Sequence, residues 1–172
     1  MTEPDVSPRF AADRTLGRLA KWLRLLGADV LRDDRLTAAQ LLHRARADGR
    51  IMLTRDKRIR TAPDVVYLAS HDFREQLREV LARYRFDPCR RAFTRCAVCN
   101  GELRIVGRDA LRRRVPPFVY ASNETFAVCD GCGRVYWNAT HPERMRREIA
   151  ALAAAPTADE GDGGLARSSV KG

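Results

Sequence analysis

Four cysteines occur as two pairs, each with two residues between its members. Cys96 and Cys99 form the first pair, and Cys129 and Cys132 form the second. Two such CxxC pairs supply four thiolates, a ligand set that holds structural zinc in tetrahedral geometry. We therefore predict one structural zinc ion bound by these four residues, in a closed site that takes no part in catalysis. Disulfide bonds or redox chemistry are the alternatives.

Four aspartates are the second group with chemical potential, because each follows an apolar run with strand character. They are Asp13, Asp33, Asp56 and Asp72, and Asp34 competes with its neighbour Asp33. Ligands of open parallel sheets bind beyond the carboxyl ends of the strands, so these side chains are expected to converge on one pocket. Gathered carboxylates suit Mg²⁺ or Mn²⁺. The alternative is that each aspartate caps a helix or forms a turn.

Cationic side chains accompany the first and third of these aspartates. The candidates for binding the phosphate groups of a substrate are Arg14, Arg18, Lys21, Arg24, Arg55 and Arg58. The first four recur at helical spacing, largely opposite a leucine face. A basic rim around an acidic metal centre is what phosphodiester hydrolysis requires, because the metal activates water while the cations hold the phosphates. The alternative is an ordinary solvated basic face.

The elements that must position these residues alternate between strands and helices over residues 1–88. One helix is predicted to end at Gly27, a second to begin at Thr37 and end at Gly49, and a third to cover Phe73–Tyr84. The intervening apolar runs are short and continuous, which is typical of strands buried on both faces. This alternation predicts an α/β fold with a parallel, doubly wound sheet.

The rest of the chain has a different character. Residues 89–154 contain all five cysteines and predict a small zinc-ribbon module of short hairpins. Strands are predicted over 119–128 and 134–137, and a final helix over 142–154. Residues 155–172 are small, polar and glycine-rich, which predicts a disordered tail.

Composition narrows the class of partner. Lys and Arg total 32 against 22 Asp and Glu, for a net charge of +10, and only three of the cations are lysines. Such an arginine-rich chain favours a polyanion, most simply nucleic acid. No apolar run reaches the length of a membrane span and the first residues lack a signal-peptide pattern, so we expect a cytoplasmic protein without membrane association. The sequence has no P-loop motif and no dinucleotide-binding motif, which disfavours P-loop NTPases and dinucleotide-dependent enzymes. We expect no small-molecule cofactor.

Four segments resemble the Mut-seven C-terminal RNase family, in which a PIN-like domain is joined to a zinc ribbon. Residues 9–27, RFAADRTLGRLAKWLRLLG, resemble the opening of that family, and residues 49–56, GRIMLTRD, resemble its second motif. Residues 95–103 and 129–137 are similar to its ribbon motifs. The segments follow one another in the family's order and cover most of the chain between residues 9 and 150.

The resemblance implies a PIN-like nuclease domain over residues 1–88 and metal-dependent cleavage of RNA that leaves a 5′-phosphate and a 3′-hydroxyl. It implies that Asp13 and Asp56 bind Mg²⁺ or Mn²⁺, with Asp33 and Asp72 as further catalytic acids. The same pairing of domains in a nuclease that matures small-subunit ribosomal RNA makes structured or ribosomal RNA a candidate partner. The competing hypothesis is a non-catalytic zinc-ribbon protein that binds RNA or the ribosome.

Overall fold

The first structural unit is a four-stranded parallel sheet. The computed structural model of the chain describes residues 8–85 and 91–137, together with Arg147 and Ala151. The strands are β1 (Arg9–Ala12), β2 (Asp29–Leu31), β3 (Ile51–Thr54) and β4 (Val65–Tyr67), in the order β2-β1-β3-β4. Most of their residues are buried, because helices cover both faces of the sheet.

Two helices connect strands of this sheet, and a third follows its last strand, β4. Helices α1 (Gly17–Leu25) and α3 (Phe73–Tyr84) contribute to the apolar core on one face, and α2 (Ala38–Ala47) contributes to the core on the other. Successive side chains of β1 point to opposite faces of the sheet, so Phe10 packs in the first core and Ala11 in the second. The prediction of a doubly wound α/β sheet is confirmed.

Local signals fix the ends of these helices. The Thr37 hydroxyl accepts the backbone N–H of Gln40, whose side chain accepts from Thr37 in return, and this reciprocal pair begins α2. Gly27 and Gly49 have positive φ values of 88° and 62° after α1 and α2. Both positions favour glycine because a side chain is strained in this backbone region. A short 3₁₀ turn, Arg14–Leu16, lies between β1 and α1.

The second unit is a three-stranded antiparallel sheet of β5 (Leu103–Gly107), β6 (Thr125–Cys129) and β7 (Val135–Trp137), in that order. The predicted strand over 119–128 is wrong in its first half, because Pro117 begins a short helix, α4 (Pro117–Ser122). The strand β5 was not predicted, because its residues do not alternate regularly between apolar and polar; three of the five are exposed.

Several predictions fall outside the described residues. Most of the helix predicted over 142–154 and the tail over 155–172 lie there, as does Cys89.

The topology brings the ends of two strands together. Strands β1 and β3 are neighbours, with Ala12 paired to Leu53, and the backbone N–H of Asp13 donates to the carbonyl of Leu53 at 3.2 Å. The residues that follow β1 and β3 therefore start from the same edge of the sheet.

Candidate active site

Asp13 is held rigidly just beyond β1. It is 6% exposed. Its Oδ1 accepts the Thr15 backbone N–H at 2.8 Å and also the Thr15 hydroxyl, while its Oδ2 accepts the Thr54 hydroxyl at 2.6 Å and the Arg55 backbone N–H at 3.1 Å. Four donors fix the orientation of this buried carboxylate, and one of them makes it the N-cap of the 3₁₀ turn.

Asp56 lies beside it, two residues beyond the end of β3. Its backbone N–H donates to the Thr54 hydroxyl oxygen at 2.9 Å. Its carboxylate accepts from the backbone N–H of Arg58 at 2.9 Å and from the Arg58 guanidinium at 2.6 Å. Hydrogen bonding to Arg58 lowers the pKa of Asp56 to about 2, so this carboxylate is ionised at neutral pH.

Both aspartates line one cleft of about 520 Å³ at this edge of the sheet. A third carboxylate in its wall belongs to Asp34, from the loop after β2. Four guanidinium groups also line the cleft, those of Arg14, Arg35, Arg55 and Arg58. An acidic centre with a basic wall is therefore present where the strand ends meet.

The structure does not bring Asp33 into this cleft. Its carboxylate accepts the backbone N–H of Arg35 at 3.1 Å and pairs with the Arg35 guanidinium at 3.0 Å, which lowers the pKa of Asp33. Asp33 closes the turn after β2 and lines an adjoining groove, whose wall shares Asp34 and Arg35 with the cleft. Asp34 occupies the place in the cleft that was assigned to Asp33.

Asp72 also lies apart from the cleft. It is the N-cap of α3, where its carboxylate accepts the backbone N–H of Arg74 at 2.6 Å. The chain has left β4 five residues earlier and has already turned towards α3. Asp72 consequently lines a neighbouring cavity, whose wall shares Thr15 and Arg55 with the cleft.

The carboxylates of the cleft are not gathered into a tight cluster. Among the residues that the structure describes, only the four cysteines form a group of three or more side chains close enough to bind one metal ion. Asp34 pairs with Arg32 at 2.7 Å, as Asp56 does with Arg58. Helix α2 adds no acid at this edge, because Asp48 ends that helix and its carbonyl accepts from Arg9, at the opposite end of β1.

Five of the six predicted RNA-binding cations divide into three groups, and the sixth, Arg24, is buried. Arg14, Arg55 and Arg58 line the cleft, and Arg18 lines the neighbouring cavity. Lys21 is exposed and lines neither cavity.

The prediction that Arg24 lies on an exposed basic face is wrong. Arg24 is 6% exposed, and its guanidinium donates to the carbonyls of Val30 at 2.8 Å and Val98 at 2.8 Å. Burial lowers the pKa of Arg24, with Arg32 adding to the effect. The spacing places Arg24 among the cations of α1. It does not reveal that the unit containing the four cysteines (residues 91–137 of the described chain, called the cysteine module below) covers this end of the helix.

The four cysteines form a compact cluster of free thiols. Their sulfur atoms all lie within 4.8 Å of one another, with Cys99 Sγ at 3.3 Å from Cys129 Sγ and Cys96 Sγ at 3.7 Å from Cys132 Sγ. Tetrahedral zinc with Zn–S bonds of about 2.3 Å places its sulfurs about 3.8 Å apart. The arrangement is compatible with a zinc site.

The surroundings of the cluster also fit a bound cation. A Cβ added to Gly101 would lie 2.9 Å from Cys129 Sγ, so the backbone approaches the sulfurs closely. Burial opposes ionisation of Cys96, but hydrogen bonds from the Cys99 backbone and the Tyr136 hydroxyl outweigh it and lower the pKa of Cys96. A thiolate is the form that binds zinc.

Asn100 joins the first cysteine pair to the edge of the parallel sheet, and sequence reasoning did not identify this role. Its side chain accepts the backbone N–H of Val30 at 2.9 Å and donates to Asp29 at 2.7 Å. Because Arg24 donates to the Val30 carbonyl, both the N–H and the C=O of Val30, a residue of the edge strand β2, have hydrogen-bond partners. The available signal was the Asn-Gly pair after Cys99, since Asn100 has a φ of 70°.

Comparison with known proteins identifies one family. The model of the Mut7-C RNAse domain matches residues 8–149, which includes both sheets. Comparisons with curated proteins and with solved structures gave no significant match. In the described part of the chain, every helix is too short or too polar to cross a bilayer.

Proposed function

The chain belongs to the Mut7-C RNAse domain family, and from that premise we propose that it hydrolyses RNA phosphodiester bonds as a Mg²⁺- or Mn²⁺-dependent endoribonuclease. One observation carries the proposal. Asp13 and Asp56 follow neighbouring parallel strands and line one cleft whose wall is rich in arginine. Carboxylates at strand ends beside guanidinium groups suit a substrate that brings phosphates to a divalent cation.

The donors in the cleft fit such a cation. Mg²⁺ is usually held by one or two carboxylates together with water and substrate phosphates. Asp13 and Asp56 would hold the ion, with Asp34 as a third oxygen donor from the wall of the same cleft. When bound, the ion supplies an activated water and neutralises charge on the phosphate.

The side chains of the cleft have separate tasks. Asp13 is fixed by its four hydrogen bonds, so it provides a preorganised carboxylate. Asp56 is ionised at neutral pH and is paired with Arg58, whose side chain is 87% exposed. An exposed guanidinium can exchange this carboxylate for a phosphate of the RNA, which frees Asp56. Arg14 and Arg55 would hold the backbone of the strand.

The cysteine module would assist by binding RNA. We propose that its four thiolates hold structural zinc and that residues 89–154 act as a zinc-ribbon module beside a PIN-like domain over 1–88. Its exposed groups suit a nucleic acid, since Arg112, Arg113 and Arg114 are exposed and Phe118 is 80% exposed. Guanidinium groups bind phosphates and an exposed ring can stack on an unpaired base.

A second function is favoured by the capping geometry. Asp13, Asp56 and Asp72 each accept the backbone N–H two residues further on, so their presence after strands is already explained by local structure. The alternative proposal is a non-catalytic RNA- or ribosome-binding protein.

Cleavage of labelled RNA in Mn²⁺ separates the two functions. The wild type is compared with Asp13→Asn and Asp56→Asn, and with Asp48→Asn as an acid at the opposite end of the sheet. The nuclease predicts cleavage by the wild type and by Asp48→Asn, with cleavage lost but RNA binding retained in the other two. Equal products from all four proteins indicate a contaminating nuclease, and binding without any cleavage supports the alternative.

A further inference from the structure

A second polar cavity adjoins the acidic cleft, and the proposed nuclease mechanism does not use it. It encloses about 180 Å³ between the start of α1 and the start of α3. Thr15 and Arg55 lie in the walls of both cavities. The second cavity is smaller than the roughly 300–1,000 Å³ of pockets for whole small molecules, so it suits a single chemical group.

The charge of its wall selects an anion. Three guanidinium groups line it, those of Arg18, Arg55 and Arg74, against one carboxylate, that of Asp72. That carboxylate already accepts the backbone N–H of Arg74 at 2.6 Å. The Arg55 Nη2 lies 2.7 Å from the ring of His71, which also lines the cavity. Positive charge therefore exceeds negative charge in the wall of this cavity, and the guanidinium groups supply hydrogen-bond donors.

Two of these guanidinium groups are positioned by one aromatic ring. Phe73 is 6% exposed and stacks on Trp22, with ring centroids 5.8 Å apart. The Cζ atoms of Arg18 and Arg74 lie 3.9 Å and 4.8 Å from the centre of the Phe73 ring. Contact with an aromatic ring orients the planar guanidinium group. The cations are thus arranged before a ligand arrives.

We propose that this cavity binds a second phosphate group of the RNA strand whose scissile phosphate lies in the acidic cleft. The inference rests on the proposed function for the identity of the ligand, while the site itself rests on its own residues. The shared wall places the two phosphates on either side of Thr15 and Arg55. The group is an internal phosphodiester or a terminal phosphate, which offer the same oxygens to the same donors.

Binding without added Mg²⁺ or Mn²⁺ tests the site independently of cleavage. Affinity for a labelled six-nucleotide single-stranded RNA is measured by anisotropy over a range of salt concentrations. The variants are Arg18→Gln and the matched control Arg83→Gln, which removes the same charge from the exposed last turn of α3, outside both cavities. We expect Arg18→Gln to weaken binding about five- to tenfold and to reduce the salt slope by about 0.7, and Arg83→Gln to change affinity less than twofold.

Chemical changes in the RNA identify the phosphate. One strand series carries a neutral methylphosphonate at each internal position in turn, and another has a hydroxyl or a phosphate at its 5′ end. One of these changes is expected to weaken binding to the wild type and to have no further effect on Arg18→Gln. An internal position indicates a phosphodiester, and the end group indicates a terminal phosphate.

His71→Gln serves as a second variant, and thermal unfolding checks that each protein is folded. Equal affinities and salt slopes for Arg18→Gln and Arg83→Gln would overturn the proposal. A loss of affinity on phosphate modification that is the same in the wild type as in folded Arg18→Gln and His71→Gln would overturn it as well. If modification of one phosphate weakens binding to the wild type but not to Arg18→Gln, and the protein cleaves no RNA, then the phosphate site is supported and the proposed nuclease function is contradicted.

Discussion

Thr54 and Asp13 are joined by a 2.6 Å hydrogen bond, in which the buried threonine hydroxyl donates to the carboxylate Oδ2. The same hydroxyl oxygen accepts the backbone N–H of Asp56 at 2.9 Å. One side chain at the end of β3 therefore connects the two acidic residues of the cleft. Their relative position depends on a hydroxyl group that is 0% exposed.

Removal of that hydroxyl should destabilise the protein and disturb the cleft. Thr54→Val keeps the shape of the side chain but leaves the buried Asp13 Oδ2 and the Asp56 N–H without this partner. We expect a loss of about 1–3 kcal/mol in the free energy of unfolding, measured in urea, and lower RNA cleavage. Thr54→Ser retains the hydroxyl and is the control. Equal cleavage by the two variants would show that the hydroxyl does not organise the acids.

The two adjacent aspartates after β2 should differ in their effect on activity. Asp34 lines the cleft, whereas Asp33 is engaged with Arg35 in a turn. Asp34→Asn should lower kcat/KM for RNA cleavage about tenfold or more, equivalent to about 1.4 kcal/mol or more, and Asp33→Asn should change it little. A larger loss in Asp33→Asn would reverse the assignment made from the cleft.

Asp29 should make folding stability depend on acidic pH. Burial opposes ionisation of Asp29, but hydrogen bonds from Arg50 and Asn100 prevail and lower its pKa from 3.8 to about 2. Because the folded pKa is the lower one, the stabilisation is present above about pH 4 and is lost as the pH falls towards 2.

Allowing for solvent screening, we expect Asp29 to contribute about 1–2 kcal/mol at neutral pH. Urea unfolding of the wild type and of Asp29→Asn between pH 2 and pH 6 measures this contribution. The difference between the two proteins should shrink on acidification. A difference that stays constant over this range would contradict the ionic role of Asp29.

Gly27 should tolerate a methyl group less well than Gly49, although both have positive φ. A Cβ at Gly27 would overlap the backbone oxygen of Arg91, while a Cβ at Gly49 would meet nothing within 4 Å. Gly49→Ala should cost about 1 kcal/mol from backbone strain. Gly27→Ala should cost about 3 kcal/mol, because overpacking adds to that strain. Similar losses in urea unfolding would indicate that the contact with Arg91 is absent.

Removal of zinc should loosen the edge of the parallel sheet as well as the cysteine module. Purified protein should contain about one zinc per chain. Asn100, directly after Cys99, accepts the Val30 backbone N–H. Chelation should therefore speed hydrogen exchange of the Val30 amide more than that of Met52, which donates to Asp64 beside the central strand β3. Metal-free purified protein that is fully folded would refute the zinc site, and equal changes at both amides would refute the coupling.

Local signals in the sequence predict the elements of the first unit and the members of the cysteine cluster. Apolar spacing, the capping residue Thr37 and the glycines at 27 and 49 predict helices whose positions agree with the structure, because these signals act within a few residues. The CxxC spacing places two cysteines side by side within each pair, whereas the fold brings the two pairs together. Such local signals fail where Pro117 begins a helix inside a run that has strand character.

The tertiary fold determines which of the suitable side chains share a site. Asp33, Asp34 and Asp72 all lie near strand ends, but only Asp34 lines the cleft with Asp13 and Asp56. Asp33 is held in a turn by Arg35, and Asp72 lies five residues beyond β4, at the start of α3. Arg24 has the spacing of a surface cation and is buried, because the cysteine module docks on its helix. Contacts between residues far apart in the chain determine which charges face solvent, and spacing within one helix carries no information about them.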